Sequence, residues 1–435
     1  MSSINIEPIT LERILQAGNL RTAARRVVEN KGGAGVDGME VGELYDYVRA
    51  HPYEISEAVR TGTYRPKPIR RVYMPKDNGD KRPLGIPTVI DRFVQQAVAL
   101  VLSEEYEKIF SDNSFGFRPG RGCHDAIERA LQYVNEGYTW VIDLDLSKFF
   151  DTVNHSKLLQ LLSDRIADGR VISLIHRFLR APVSEDGKVG KKTTIGTPQG
   201  GTISPVLANI LLNELDQLLD SKGIRFVRYA DDMVIFCGSK KAAERTLMNV
   251  KAFVEGKLFL KVNTEKTKIA RAGKDTQFLG FAFTTWVSNQ KKLTNPGRKY
   301  FATVHQKKRT KLIKSLKELL NRRAPGGIEK VKRILRWKVM GWCNYFHGAI
   351  PKTWKQSTDE WIRRRIRQLL WKQWKKPGKR FEEISRRTNG RITDERFSFS
   401  SNRYWFVSRC DVLQFALTNK TLAKEGWVWL STFEQ

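Results

Sequence analysis

The fold is decided by the stretch Phe226-Val227-Arg228-Tyr229-Ala230-Asp231-Asp232-Met233-Val234-Ile235-Phe236, in which two short apolar runs meet at a pair of aspartates. Both runs are rich in β-forming residues, so the stretch predicts a β-hairpin with both carboxylates at its tip. Two adjacent negative charges repel each other unless a cation lies close by, and a hard divalent ion is the natural partner of carboxylate oxygens. Asp-Asp is also ordinary turn chemistry, so the dipeptide alone leaves a plain turn and a metal site both open.

A third carboxylate comes from residues 138–151, where apolar and polar side chains alternate. Ile142 and Leu144 fall on one face of an extended chain, and Asp143 and Asp145 fall on the other. This pattern predicts a half-buried strand that ends at a polar site. On the residues alone, Asp143, Asp145 and Asp151 all compete for the metal role.

Residues 70–87 predict a second hairpin, because Asn78-Gly79 is a strong signal for a tight turn. A two-residue turn there would place Lys76 directly across from Lys81. Like charges in that position destabilise a hairpin unless an anion binds between its arms, which favours phosphate binding.

Residues 197–205 combine a Pro-Gln-Gly-Gly loop with the start of a helix. Ser204 as N-cap and Pro205 at the first helical position predict that start. The loop presents backbone amides and the Gln199 carboxamide to a cleft. A plain glycine loop is the competing interpretation, and the position of the loop between the two aspartate motifs favours the functional one.

The charge of the chain predicts a polyanion as its partner. The 435 residues carry a formal charge of +31, and residues 301–380 hold 24 Lys and Arg against 4 Asp and Glu. No apolar run approaches the roughly 20 residues of a membrane-spanning helix, and the N-terminus lacks the order of a signal peptide. We therefore expect a cytoplasmic protein with no membrane partner. Its four cysteines lie far apart and lack zinc-ligand spacing, which predicts reduced thiols.

Taken together, these motifs resemble those of group II intron-encoded reverse transcriptase/maturases of the bacterial, endonuclease-lacking type. The resemblance implies an α+β fold of the right-hand polymerase kind, with fingers, a palm built on an antiparallel sheet, a helical thumb and a small C-terminal domain. The implied domains are fingers and palm at 1–295, a basic thumb or maturase-specific domain at 296–380, and a DNA-binding region at 381–435. The tail carries no Cys/His metal cluster, so we expect no endonuclease.

The functional residues of this family carry over to matching positions of the chain. Asp145, Asp231 and Asp232 would be catalytic and would hold two Mg²⁺ ions, with Mn²⁺ as a possible substitute. The incoming dNTP would be bound by Lys76, Arg82, Phe150 and Gln199. Nucleic-acid contacts would come from Arg333, Arg336, Lys338, Arg363, Arg364, Arg365 and Arg367.

The implied function is that of an RNA-directed DNA polymerase from a mobile element. It would copy an RNA template from a DNA primer using dNTPs, bind its group II intron RNA to assist splicing, and reach a target DNA during retrohoming. One alternative is a splicing-only maturase cofactor, against which the intact aspartate set argues. Another is a retron or diversity-generating reverse transcriptase, against which the basic, Trp-rich segment after residue 296 argues.

Overall fold

The computed structural model describes residues 7–75, 79–287, 295–321, 326–400 and 404–433. These residues belong to two compact units, Met1–Ala272 and Gly273–Gln435. The change of unit comes earlier than the boundary predicted after residue 295, and the division into three domains stays a prediction. Within the described ranges, no helix is long and apolar enough to cross a membrane. The four cysteines are free thiols, as predicted.

The first unit combines helices with two sheets. Its helices are α1 (Leu11–Ile14), α2 (Ala17–Glu29), α3 (Leu44–Ala50), α4 (Glu54–Arg60), α5 (Val89–Glu107), α6 (Cys123–Asn135), α7 (Phe149–Thr152), α8 (His155–Ser163), α9 (Gly169–Leu179), α10 (Ser204–Ser221) and α11 (Lys240–Lys257). Its strands are β1 (Ile69–Pro75), β2 (Lys81–Ile86), β3 (Trp140–Leu144), β4 (Val183–Glu185), β5 (Lys188–Val189), β6 (Arg225–Tyr229), β7 (Asp232–Cys237) and β8 (Lys268–Arg271). The mixed α+β composition is as predicted.

One sheet of the first unit has four antiparallel strands in the order β6-β7-β3-β8. Its central strand β3 buries Val141, Ile142 and Leu144 almost completely, whereas Asp143 is partly exposed. The predicted strand is therefore confirmed, with Ile142 and Leu144 buried on one face, although Val141 on the opposite face is buried too. The β6–β7 pair is the predicted hairpin, and both of its strands bury apolar side chains in the core of this unit.

The second sheet has the order β2-β1-β4-β5, with β1 antiparallel to β2 and parallel to β4. Pro75 lies opposite Lys81 and Met74 lies opposite Arg82. The predicted hairpin is confirmed, but the register that would place Lys76 across from Lys81 is not found, since Lys81 is paired with Pro75. The register follows from the pairing of the two full strands, which outweighs the local preference of the turn dipeptide.

The second unit is mainly helical. Its strands are β9 (Phe281–Thr284) and β10 (Phe301–Val304), and its helices are α12 (Gln306–Leu319), α13 (Gly327–Tyr345), α14 (Lys352–Gln373), α15 (Pro377–Thr388), α16 (Tyr404–Val407), α17 (Asp411–Ala416) and α18 (Asn419–Lys424). Buried side chains from 312 to 430 form one core, so the basic helices and the tail pack together. Trp371 and Trp374 lie in that core, as expected for aromatic residues at helical spacing.

Candidate active site and nucleic-acid interface

The strand register brings the three predicted catalytic aspartates to one end of the β6-β7-β3-β8 sheet. Leu144, the last residue of β3, lies opposite Met233 of the antiparallel strand β7. Asp145 directly follows Leu144 and Asp232 directly precedes Met233, so both leave the sheet at the same end. Asp231 belongs to the turn between β6 and β7, next to Asp232.

The turn that carries Asp231 has two residues, because Tyr229 pairs with Asp232. Its first residue, Ala230, has a φ of 58°, as the first position of a type II′ turn requires. Gly116 of a neighbouring loop packs directly on this turn, and a Cβ at Gly116 would lie 2.3 Å from the Ala230 backbone nitrogen. Only glycine allows the loop to approach the turn so closely.

A buried arginine within the motif itself holds this turn. The Arg228 Nη1 donates to the carbonyl oxygen of Ala230 at 3.0 Å and to Asn209 Oδ1 at 2.8 Å. Its Nε and Nη2 donate to the Asp216 carboxylate of α10 at 2.5 to 3.0 Å. Burial raises the pKa of Asp216, and the guanidinium charge opposes that rise. The side chain of Asn209 also donates to the carbonyl of Gly116, so one network fixes both the turn and the loop packed on it.

Asp145 is held by the segment that follows α11. Its backbone N–H donates to Thr267 Oγ1 at 3.2 Å, and its carbonyl accepts from the Asn263 N–H at 2.8 Å. The Lys266 ammonium lies 3.6 Å from Asp145 Oδ2 and supplies a positive charge to the carboxylate. The sequence patterns did not single out any one lysine in this segment.

The donor chemistry of this end of the sheet suits a divalent ion. Asp145 and Asp231 are partly exposed and Asp232 is exposed, so hard carboxylate oxygens reach solvent there. Lys266 already lies against Asp145, as expected where carboxylates need a cation. In the described part of the chain, no three His, Cys, Asp or Glu side chains are gathered as a ready-made metal site. The residues therefore fit a metal by type and by position on the sheet, whereas the metal ligation predicted from sequence stays a prediction.

A cavity of about 280 Å³ brings together two of the residues predicted to bind the nucleotide. Phe150 and Gln199 line it, and the Phe150 ring packs edge-on against Phe149 with centroids 5.1 Å apart. Arg82 Nε donates to Gln199 Oε1 at 2.9 Å, and Gln199 Nε2 donates to Asp151 Oδ1 at 3.4 Å. The structure thus connects Arg82 and Gln199 directly and places Phe150 beside them. Lys76 lies outside the described residues.

The Pro-Gln-Gly-Gly loop is fixed to strand β2 by backbone contacts. The Gly85 N–H donates to the Gln199 carbonyl at 2.7 Å, and a Cβ at Gly200 would lie 2.3 Å from the Gly85 oxygen. Gly200 also has a φ of 122°, which L-residues rarely adopt. The helix start predicted here is one residue late, because α10 begins at Ser204 and Ile203 is its N-cap. The Ser204 hydroxyl donates instead to the Pro198 carbonyl.

Three predicted nucleic-acid contacts lie exposed on α13. Arg333, Arg336 and Lys338, here named the α13 cations, all face solvent. Trp337 lies among them with 59% of its surface exposed, and the Arg333 guanidinium lies 5.5 Å from its ring centroid. This arrangement of exposed cations around an aromatic ring suits a phosphate backbone with neighbouring bases.

The four predicted contacts on α14 are partly covered by the tail. The Arg364 guanidinium lies 3.5 Å from the Trp405 ring centroid and donates to the Trp405 carbonyl, and Arg367 donates to the carbonyl of Leu417. Arg365 lies over Trp405, and Arg363 lies 5.3 Å from the centroid of Trp429. All four side chains remain partly exposed, and their role as nucleic-acid contacts stays a prediction. Burial lowers the pKa of Arg364, Arg365 and Arg367.

Sequence reasoning missed Arg228, Asp216 and Asn209. The available signal was Arg228 itself, which directly follows the apolar pair Phe226-Val227, because a buried cation is costly unless it is paired. Its partners lie on α10, and the sequence pattern alone gave no reason to pair that helix with the turn.

Comparison with known proteins agrees with this geometry. Residues 74–283 match the family Reverse transcriptase (RNA-dependent DNA polymerase), and residues 309–388 match Group II intron, maturase-specific domain. Protein YkfC of Escherichia coli (strain K12) is 35% identical over 310 residues, which cover 62% of this chain and 81% of YkfC. Group II intron-encoded protein LtrA of Lactococcus lactis subsp. cremoris is 32% identical over 52% of this chain, and the match spans 49% of LtrA.

A solved structure, the partial Cas6-RT-Cas1--Cas2 complex, is 23% identical with a TM-score of 0.36 and covers 56% of this chain and 42% of that one. The reverse transcriptase match together with the mixed helix and sheet structure supports the right-hand polymerase fold predicted from sequence. Members of this family use divalent metal ions. The chain belongs to the family of group II intron-encoded reverse transcriptases and maturases.

Proposed function

We propose that this protein is an RNA-directed DNA polymerase that also binds a group II intron RNA and assists its splicing and retrohoming. One observation carries the polymerase role. The register of β3, β6 and β7 brings Asp145, Asp231 and Asp232 to one end of the sheet. The same unit holds a cavity lined by Phe150 and Gln199, which would receive the nucleotide.

Asp145, Asp231 and Asp232 would hold two Mg²⁺ ions, with Mn²⁺ as a substitute. Bound there, the ions would lower the pKa of the primer 3′-hydroxyl and neutralise charge on the triphosphate and the departing pyrophosphate. Their carboxylates would present hard oxygen ligands to these ions. Lys266 balances the charge of Asp145 in the free protein.

The side chains around the cavity would position the incoming nucleotide. Arg82 is oriented by its hydrogen bond to Gln199, which would aim its remaining N–H groups at the triphosphate together with Lys76. Phe150 would lie beneath the deoxyribose and leave no room for a 2′-hydroxyl. Holding the reacting groups in this way is a main source of rate in phosphoryl transfer.

The second unit would hold nucleic acid. The α13 cations are exposed and would neutralise phosphates of the RNA template paired with its DNA primer, and of the intron RNA. Residues 381–435 would contact the target DNA. The cytoplasm is the compartment in which these partners occur together.

Primer extension tests the proposal. Purified protein, an RNA template annealed to a DNA primer, dNTPs and Mg²⁺ should give full-length DNA, and EDTA should abolish the product. Failure to extend the primer, with RNA binding and splicing assistance retained, would identify a splicing-only cofactor. Extension without any affinity for intron RNA would instead favour another prokaryotic reverse transcriptase.

A further inference from the structure

The loop that packs on the catalytic turn presents a single exposed aromatic ring. The Phe115 N–H donates to the Arg228 carbonyl at 2.9 Å, and Gly116 lies against the backbone of Ala230. On the far side, the Arg118 guanidinium is buried and donates to Glu107 and to the Ser111 and Ser114 carbonyls. The loop is therefore fixed on both sides of Phe117.

Phe117 differs from its neighbours in both exposure and backbone conformation. Its surface is 60% exposed, whereas Phe115 and Arg118 are 5% and 6% exposed. Its φ is 59°, a left-handed conformation that is unfavourable for a bulky L-residue. Glycine or asparagine would adopt this backbone more easily, and the ring buries little apolar area in return. Folding alone therefore gives no reason for a phenylalanine here, and such strain is typical of functional positions.

We propose that Phe117 contacts the terminal base pairs of the template–primer duplex. The inference rests on the proposed polymerase function. A primer 3′-hydroxyl that reacts at Asp145 and Asp231 must lie beside the turn, and the loop bearing Phe117 packs on that same turn. An aromatic ring can pack on any sugar or base without forming base-specific hydrogen bonds. Such a contact suits a polymerase, because it must copy templates of any sequence. Phe117 would thus hold the end of the duplex in position for nucleotide addition.

Three variants of Phe117 test the contact. We expect Phe117→Ala and Phe117→Gly to weaken binding of a fluorescently labelled template–primer about ten-fold at fixed salt, and Phe117→Tyr to bind like the wild type. Tyr53→Ala is the matched control, since Tyr53 is also exposed at 83% with a φ of 71°, in the segment between α3 and α4. Wild-type affinity in both the Ala and Gly variants would overturn the proposal. So would an equal loss in the Tyr53 control.

The same variants test the strained backbone. Both the Ala and the Gly variant lack the ring, so the difference in their melting temperatures reports the backbone conformation at residue 117. At a positive φ the Gly variant should melt at a higher temperature than the Ala variant, the reverse of the usual order. A more stable Ala variant would show that residue 117 does not adopt this conformation and would overturn the proposal.

Photocrosslinking identifies the strand without using activity. A 5-iodouracil placed in turn at the primer terminus, at its template partner and ten pairs away should crosslink to Phe117 only from one of the two terminal positions. Mass spectrometry of the adduct identifies residue and strand. Crosslinking only from the distant position, or none, would overturn the proposal. Protein that crosslinks at Phe117 but fails to extend the primer would contradict the polymerase function and leave the contact standing.

Discussion

Variants of Arg228 should separate two roles of this side chain, its contribution to the stability of the fold and its positioning of the catalytic turn. Arg228 and Asp216 form a bidentate ion pair in which the two side chains are 1% and 0% exposed. Breaking a buried pair by removing one partner leaves an uncompensated charge and costs about 3–5 kcal/mol. We expect Arg228→Met to lower the free energy of unfolding by about that amount, a large share of the roughly 5–15 kcal/mol of a typical domain.

The double variant Arg228→Met/Asp216→Leu should recover most of the lost stability. An apolar replacement of both partners in a buried ion pair is often neutral, because no charge is left unpaired. The double variant still lacks the hydrogen bond from Arg228 to the Ala230 carbonyl, which is 3.0 Å long in the native protein. The turn bearing Asp231 is then free to shift. We expect nucleotide addition to remain about ten- to a hundred-fold slower than in the wild type, since small misplacements cost rates of this order.

Two assays measure these effects side by side. Urea unfolding gives the stability, and single-turnover nucleotide addition on a preformed template–primer complex, at a series of Mg²⁺ concentrations, gives the rate. Arg13→Met is the control, because Arg13 of α1 pairs at 2.7 Å with the buried Glu105 of α5, which Lys108 also contacts. It should lose stability without a change in rate. A double variant with wild-type rate and Mg²⁺ dependence would refute the positioning role. One that stays as unstable as the single variant would refute the ion-pair calculation.

Three further predictions concern other parts of the molecule. Phe150→Val should admit ribonucleotides, measured as the ratio of rNTP to dNTP incorporation, and an unchanged ratio would place the sugar gate elsewhere. Changing the α13 cations to Gln should reduce the salt dependence of nucleic-acid binding. The slope of log K against log salt should fall in magnitude by about 0.7–0.9 for each phosphate that the variant no longer neutralises. An unchanged slope would show that these cations face solvent and do not contact phosphates. Hydrogen bonds from the Arg170 side chain and from the Leu11 and Arg170 N–H groups lower the pKa of Asp168 from 3.8 to about 2. The ionised Asp168 carboxylate therefore contributes stability above pH 3.8, and this contribution is lost as the pH falls through about 2. The melting temperature of the Asp168→Asn variant should lack this fall at acid pH.

The parts of the fold that depend on local pattern could be predicted from the sequence. The β6–β7 hairpin, the half-buried strand β3 and the helix after the Pro-Gln-Gly-Gly loop all follow from periodicity and turn chemistry. Their relative placement at one sheet end is a matter of register between β3 and β7, for which the sequence offered only the family resemblance.

The parts that depend on distant partners could not be predicted. Lys81 lies opposite Pro75 because two whole strands set the register, and a turn dipeptide cannot compete with them. The helix α10 begins at Ser204 with Ile203 as its N-cap, one residue earlier than predicted, and the Ser204 hydroxyl donates to the Pro198 carbonyl. The Arg364 guanidinium packs on Trp405, a residue of the tail that the pattern of its own helix does not relate to it. Each of these contacts is one that the local sequence pattern does not specify.

The carboxylates at one end of the sheet should carry out nucleotide addition while other groups bind nucleic acid. Asp231→Asn tests it most directly, because the amide keeps the shape of the side chain and removes its negative charge. Single-turnover addition and template–primer affinity are measured on the same preparation. We expect the rate to fall by several orders of magnitude with affinity near that of the wild type. A variant that extends primers at a comparable rate would remove Asp231 from the catalytic site and contradict the claim.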